Sequence, residues 1–294
     1  MRVTDAATFE LMKRRVGAAS TSVQTAQEQA SSGMRVNKPS DDPVAAAAAR
    51  RETSRKALAD AGKTATDQAT SLLQGSDDAL NGMFQALGRA RDLASSSVSS
   101  TVGPQDRIGA AIEVRSIRDQ MIALANTNVA GRYVFGGRSD QKAPYQSDGT
   151  FVGDGETKQV QVLPGLKVNT SISGKAIFAG DESGAGDLFK TLDDLAKALD
   201  ANDTSGIGAS LGAIDSNQSL VTNGRSQIGA MMSNVTVAAS VAERSGTSAQ
   251  IEFNRLVAID EVTAATNLVQ AKTVLQSAIA IAQQMPIGGL NGGK

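Results

Sequence analysis

The chain has 294 residues, with 29 Lys and Arg against 30 Asp and Glu, and no His, Cys or Trp. These absences exclude a histidine general base, a thiolate nucleophile, the usual zinc site and a disulfide framework, and the near-neutral charge gives no net field for a nucleic-acid backbone. Only 7 Phe and 2 Tyr are present, too few large rings for a thick globular core, while 40% hydrophobic residues, mostly Ala, Val, Leu and Ile, suit thin helical bundles.

The start, Met1 to Met12, has no apolar h-region, so no cleavable secretory signal is expected. No stretch reaches the roughly 18 apolar residues of a membrane span. Taken alone, this composition reads as cytoplasmic. Phe9, Met12, Val16, Ala19, Val23, Ala26, Ala30 and Gly33 then alternate by three and four, a heptad seam that Gly33 is placed to stop. The basic clusters Lys13-Arg14-Arg15 and Arg50-Arg51 with Arg55-Lys56 have acidic neighbours and read as solvated helix faces.

Asn37-Lys38-Pro39-Ser40-Asp41-Asp42-Pro43 cannot continue a helix and reads as a loop. It also builds a helix start, with Asp41 or Asp42 as N-cap and Pro43 in the first turn. A long helical run follows to about Ser100. Leu73, Leu80, Leu87 and Ala94 recur every seven residues, and Ser76, Met83 and Ala90 fill the alternate seam. Gly62, Gly75, Gly82 and Gly88 weaken that helix, each by about 1 kcal/mol relative to Ala. Gly103-Pro104 punctuates it, and Ala110, Val114, Ile117, Met121 and Leu124 mark the next helix.

From Gly131 to about Gly186 the period becomes two. Lys158 to Val162 alternates polar with apolar, as does Leu166 to Asn169, and Pro164-Gly165 between them suits a type II turn, so a β-hairpin is predicted. Tyr133-Val134-Phe135 and Ala176-Ile177-Phe178 read as further short strands. Most of the aromatics lie in or beside this small β-rich insert. Helix returns at about Asp187, with Leu188, Leu192, Leu195 and Leu199 on one face. After a polar break at 202–206, Ile207, Ile214, Val221, Ile228, Val235 and Ala242 recur every seven residues. Gly246 is expected to interrupt this run. A last helix carries Val257, Ala264, Ala271 and Ala278, with Leu268, Leu275 and Ala282 alternating, and ends at Met285-Pro286.

A heptad stripe needs a partner in water. The simplest fold brings the two ends together as an elongated antiparallel helical rod or coiled coil, mainly α, with the insert at its far end. The division expected is an N-terminal assembly helix and loop (1–42), the N-terminal half of the rod (43–130), the β-rich domain (131–186), the C-terminal half (187–250), a C-terminal assembly helix (251–285) and a flexible tail (286–294). Phe9, Met12, Val16, Val23, Val257, Leu268 and Leu275 are the candidate interface residues. They pair within one molecule or with neighbours in an assembly.

Little points to chemistry. No Walker-type phosphate loop or dinucleotide fingerprint is present, and no catalytic residue, cofactor or metal site is assigned. Asp77-Asp78 and Asp193-Asp194 lie in helices, where adjacent residues diverge by about 100°. Gly153-Asp154-Gly155 reads as a turn rather than a cation site.

Two motifs are more specific. Ser32-Gly33-Met34-Arg35-Val36-Asn37-Lys38-Pro39-Ser40-Asp41-Asp42-Pro43-Val44 resembles the N-terminal signature of the flagellin family, with Asn37, Asp41, Asp42 and Pro43 as its loop. Gly131-Arg132-Tyr133-Val134-Phe135-Gly136-Gly137, with Gly131, Tyr133, Phe135 and Gly137 as the strand motif, resembles the hook–filament junction branch of that family. Pro144-Tyr145, Gly149, Gly153-Asp154 and Gly174-Lys175-Ala176-Ile177-Phe178 continue that likeness. The resemblance implies a non-enzymatic, extracellular subunit of the bacterial flagellum, exported through the flagellar type III system without signal cleavage. It implies a ring of identical subunits, the other hook–filament junction protein, flagellin and a flagellar export chaperone as partners, and no nucleic acid or membrane. Proline followed by a glycine-rich tail after the last helix departs from the family pattern. The alternatives are a short flagellin that builds the filament itself, a helical signalling module of the chemoreceptor sort, and a Ser- or Asp-dependent enzyme.

Overall fold

A computed structural model describes residues 2–178 and 187–284. The expected tail at 286–294, the helix end at Met285-Pro286 and the last part of the insert lie outside the described residues. The chain divides into a central unit, Leu58–Arg244, and a terminal unit, Met1–Ala57 with Ser245–Lys294.

The central unit is organised by two long helices, α2 (Pro43–Ser97) and α6 (Thr204–Val257), from the parts that fall within it. The sevenfold repeats face its core. Leu73, Leu80, Leu87 and Ala94 on α2, and Ile207, Ile214, Val221, Ile228 and Ala242 on α6, are fully buried. Each large side chain among them contributes about 1.5–3 kcal/mol by leaving water. The two helices run antiparallel. Asp77 of α2 pairs with Arg225 of α6 at 2.9 Å, and Arg91, further along α2, pairs with Asp215, further back along α6, at 2.6 Å. α3 (Pro104–Ala125) and α5 (Leu188–Asp200) pack on each other and on this pair. Asp187 caps α5 by accepting a hydrogen bond from Lys190 N–H, and the predicted face Leu188, Leu192, Leu195 and Leu199 is wholly buried.

Two glycines of α2 mark close approaches. A Cβ at Gly82 would lie 3.2 Å from Leu124 Cδ1, and one at Gly75 would lie 2.5 Å from Val129 Cγ2. Their cost in helix propensity is thus offset by contact with α3 and the strand that follows it.

The insert begins earlier than its alternation suggests. β1 (Asn128–Val129) pairs antiparallel with β2 (Arg132–Tyr133), and the loop Ala130-Gly131 has φ of 52° and 81°. Positive φ at both loop residues is the signature of a type I′ hairpin. The expected strand Tyr133–Phe135 is therefore only partly strand. Val134 and Phe135 leave the ladder and are buried. β3 (Gln159–Leu163) and β4 (Leu166–Asn169) form the predicted hairpin, with Gly165 at φ 83°.

Ala176-Ile177-Phe178 is not a strand. It belongs to a short helix, α4 (Gly174–Phe178). A strand would send Ile177 and Phe178 to opposite faces, whereas both are needed inside. Ile177 packs where a Cβ at Gly224 of α6 would touch it, and Phe178 meets Phe135 edge-on at 5.0 Å. Phe178, Phe135, Tyr145, Phe151 and Phe189 form one aromatic cluster. Its burial pushes the Tyr145 phenol above its ordinary pKa.

At the α2–α3 turn the Arg107 guanidinium is buried. It donates from Nε to Ser97 O at 2.9 Å, from Nη2 to Ser99 O at 2.8 Å and from Nη1 to Asn202 Oδ1 in the α5–α6 turn. One side chain thereby ties two turns together, a role that no spacing in the sequence announces.

In the terminal unit, α1 (Arg2–Ser32) packs on α7 (Glu261–Gln284). The expected interruption at Gly246 does not occur. α6 runs through it to Val257, with Ala249 buried on the next heptad after Ala242. A single glycine costs a helix only about 1 kcal/mol, too little by itself to end a helix whose buried seam continues on both sides.

Candidate functional site

The candidate site is the terminal unit itself: the α1–α7 pair and the loop joining α1 to α2. Gly33, at φ 67°, ends α1 as expected. Its N–H donates to Gln29 O at 3.0 Å. The loop after it is held by its own polar residues. Asn37 Nδ2 donates to Met34 O at 3.0 Å, and Asp41 Oδ2 accepts from the N–H groups of Asn37 at 3.0 Å and Lys38 at 2.9 Å. Asp42, not Asp41, is the N-cap of α2. Its Oδ1 accepts from Ala45 N–H at 2.9 Å, and Pro43 takes the first helical position. That backbone donor, with Arg35 beside it, holds the Asp42 carboxyl below the usual range. Glu28, hydrogen-bonded to Lys38 at 2.9 Å, raises the Lys38 ammonium above its usual value.

The loop also reaches the other end of the chain. Arg35 N–H donates to Val257 O at 2.6 Å, Arg35 Nη2 to Leu256 O at 3.1 Å and Arg35 Nη1 to Asp42 Oδ2 at 3.2 Å. Met34 forms an isolated bridge with Ala258, and Ile259 N–H donates to Gly33 O at 3.0 Å. Beneath these bonds Val36, Ala45, Ala49 and Val257 form a small buried cluster. Since α1 ends where α7 begins and the two helices touch, they lie antiparallel.

Within that pair the inward positions are small. Ala19 and Ala26 on α1 and Ala264 on α7 are buried, and the seam residues Met12, Val16, Val23, Leu268 and Leu275 are half-buried. Larger apolar groups face out. Phe9 is 67% exposed, Val262 74%, Val269 64% and Ile281 54%. Contiguous exposed apolar surface is, in general, a mark of interaction sites.

The family model for the bacterial flagellin N-terminal helical region matches residues 6–140. The chain is 32% identical over 184 residues to flagellar hook-associated protein 3 of Escherichia coli (strain K12), a match spanning 58% of each protein. It is 27% identical over 278 residues to the Salmonella typhimurium protein of the same name, covering 85% of this chain and 86% of that one. Residues 6–140 of the chain thus resemble the flagellin N-terminal helical region, and both of these relatives are flagellar hook-associated proteins.

Its fold agrees. A putative flagellar hook-associated protein from Vibrio parahaemolyticus superposes with a TM-score of 0.68 at 19% identity, over 74% of this chain and all of that one. FlgL of Bacillus cereus superposes with a TM-score of 0.57 at 20% identity, over 69% of this chain and 97% of that one.

The residues singled out in the sequence fall into separate places. Asn37, Asp41, Asp42 and Pro43 shape the loop of the terminal unit, and Val257 is buried beneath it. Met12, Val16, Val23, Leu268 and Leu275 line the α1–α7 seam, while Phe9 is turned to solvent. Gly131, Tyr133, Phe135 and Gly137 belong to the central unit, where Phe135 is core and the two glycines, at φ 81° and 67°, turn the chain. Asp154 makes a turn, accepting from the N–H groups of Arg138 and Glu156, each at 3.1 Å. Asp77 pairs with Arg225 and Asp193 with Arg118, so both of these acidic residues are structural. Arg35 is the residue the sequence reading passed over. Besides the nearby Asp42, its partners Leu256 and Val257 lie more than two hundred residues away, and no local spacing points to them.

Proposed function

We propose that the protein joins hook to filament as a hook-associated junction subunit, polymerising through its terminal helices. The observation that carries this reading is the arrangement of α7. Ala264 faces the inside of the molecule, whereas Val262, Val269, Val274 and Ile281 face water. Burying such a face requires another chain, and exposed apolar surface of this extent marks interaction sites. The relatives named flagellar hook-associated protein 3 support placing that assembly at the hook–filament junction. On this reading the partners are further copies of the chain in a ring, the other junction protein, flagellin and, before export, a flagellar export chaperone. The protein is extracellular, leaves the cell through the flagellar type III system without cleavage, and is not an enzyme. Phe9 and the outward face of α7 supply the assembly contacts, while Met12, Val16, Val23, Leu268 and Leu275 hold α1 on α7 behind them.

Immuno-electron microscopy of isolated flagella tests the proposal. A single band of label at the distal end of the hook is expected. Label along the whole filament would instead identify a short flagellin, the second reading kept open by the match to the flagellin N-terminal region.

A further inference from the structure

Nothing in the local sequence requires α6 to end where it does. The gap before α7 is Ala258-Ile259-Asp260, without proline or glycine, and all three residue types occur within helices. Helical bonding runs up to this gap, with Ala258 N–H donating to Asn254 O at 2.8 Å. It resumes beyond it, with Ala264 N–H donating to Asp260 O at 2.8 Å.

At the gap the partners are exchanged. In an unbroken helix Ile259 N–H would donate to Arg255 O, and the carbonyls of Leu256 and Val257 would accept from residues 260 and 261. Here Ile259 N–H donates to Gly33 O at 3.0 Å, Leu256 O accepts from Arg35 Nη2 at 3.1 Å, and Val257 O accepts from Arg35 N–H at 2.6 Å. The loop after α1 thus supplies, from the opposite end of the chain, the groups that terminate α6. One local element favours the same state. Asp260 caps α7, accepting from Thr263 N–H at 2.9 Å.

We infer that Val257–Glu261 is a two-state element, interrupted while the 33–42 loop is docked and continuous with α6 and α7 when the loop is released. Arg35 is the positioning residue that selects between them. Ordering of the N-terminal loop and interruption of the C-terminal helix are then one event. By linkage, whatever favours the continuous helix must loosen the loop by the same factor. The inference concerns this chain's own conformations and stands whether or not the junction reading does.

The test uses the full chain, isotopically labelled, with Cα chemical shifts and amide exchange read at the gap and in the loop. In Arg35→Ala the shifts of Ala258, Ile259 and Asp260 should move to helical values. The amides of Asp260 and Glu261 should exchange more slowly, on the order of tenfold. Asp260→Ala, which leaves Arg35 in place, should move the same shifts part of the way and quicken exchange at the Arg35 and Val36 amides. Glu261→Pro should cancel both changes. Proline is accepted at the first position of α7 but cannot lie inside a continuous helix. The inference is overturned if the gap stays non-helical in both variants while α7 keeps its helical shifts, because the interruption is then local. It is equally overturned if α7 loses its helical shifts in both, because the segment is then not helix-competent.

Discussion

The two units bury different things. In the central unit the inward positions carry Leu73, Leu80, Leu87, Ile207, Ile214, Phe135 and Phe178, all fully buried. In the terminal unit they carry mainly alanine, at 19, 26, 45, 49 and 264, while Phe9, Val262 and Val269 lie outside. Burial stabilises in proportion to apolar area. A seam of alanines therefore brings helices close without supplying much of the free energy that ordering them costs. The central unit has a continuous core of large side chains. The terminal unit leaves its larger apolar groups in water, so on the proposed function damage to each unit should register in a different measurement.

Deletion of residues 1–33 tests this most severely. It removes α1 and the contacts that hold α7, so attachment to flagella should be lost altogether, while the thermal transition of the central unit stays where it was. Normal swimming by that mutant would defeat the contrast, as would a central unit that no longer melts cooperatively. The complementary change is Phe178→Ala. Deleting a fully buried ring from the aromatic cluster should cost about 3–5 kcal/mol of stability, measured by denaturant unfolding, and should lower the midpoint of the central unit. A loss below about 1 kcal/mol would mean that the cluster is not the core it resembles.

Leu268→Asp with Leu275→Asp probes the other side. Both residues are half-buried on the α1–α7 seam. The expected result is weaker flagellar attachment and chaperone binding with an unchanged central transition. If attachment and chaperone binding both survive, the seam has been misassigned. Limited proteolysis of the purified monomer gives a milder version of the comparison. A fragment close to the central unit, Leu58–Arg244, should outlast both ends, and uniform resistance along the chain would speak against an unfinished terminal unit.

The difference between the units also explains what could be read without a structure. Every heptad position named on α2 and α6 is in the core, because a periodic apolar stripe reports burial directly. The Asp42-Pro43 helix start and the Gly33 stop were equally legible, since capping chemistry is local. Three readings failed where the deciding contact is distant. Gly246 does not break α6 because the buried seam continues past it at Ala249. Ala176–Phe178 is helical because Ile177 and Phe178 must face the same interior. The gap after Val257 is held by Arg35, whose partners no spacing reveals. In the candidate site the seam residues were recognised, but the outward direction of Phe9 was not. A heptad on a single helix does not say which of its members lies beyond the partner's reach.

The smallest expected effect is on pH dependence. Ala45 N–H and Thr263 N–H donate to Asp42 and Asp260, and these bonds hold both carboxyls below their ordinary values. A carboxyl depressed in the folded state contributes stability above its unfolded pKa, about 3.9, and loses it as pH falls through the lower folded value. Asp42 is half-buried and Asp260 exposed, and solvent screens both, so the effect should be seen at the caps and not in the melting of the chain. Exchange at the Ala45 and Thr263 amides should therefore quicken as pH falls below about 4. Asp42→Asn should flatten the response at Ala45 and leave that at Thr263. Lys38 behaves oppositely. Raised by Glu28, it contributes below the ordinary lysine pKa and loses that contribution as pH rises through the raised value. The terminal loop should thus be best ordered between these limits. If acid loosened the aromatic cluster before the Ala45 amide, the terminal unit would not be the weaker of the two.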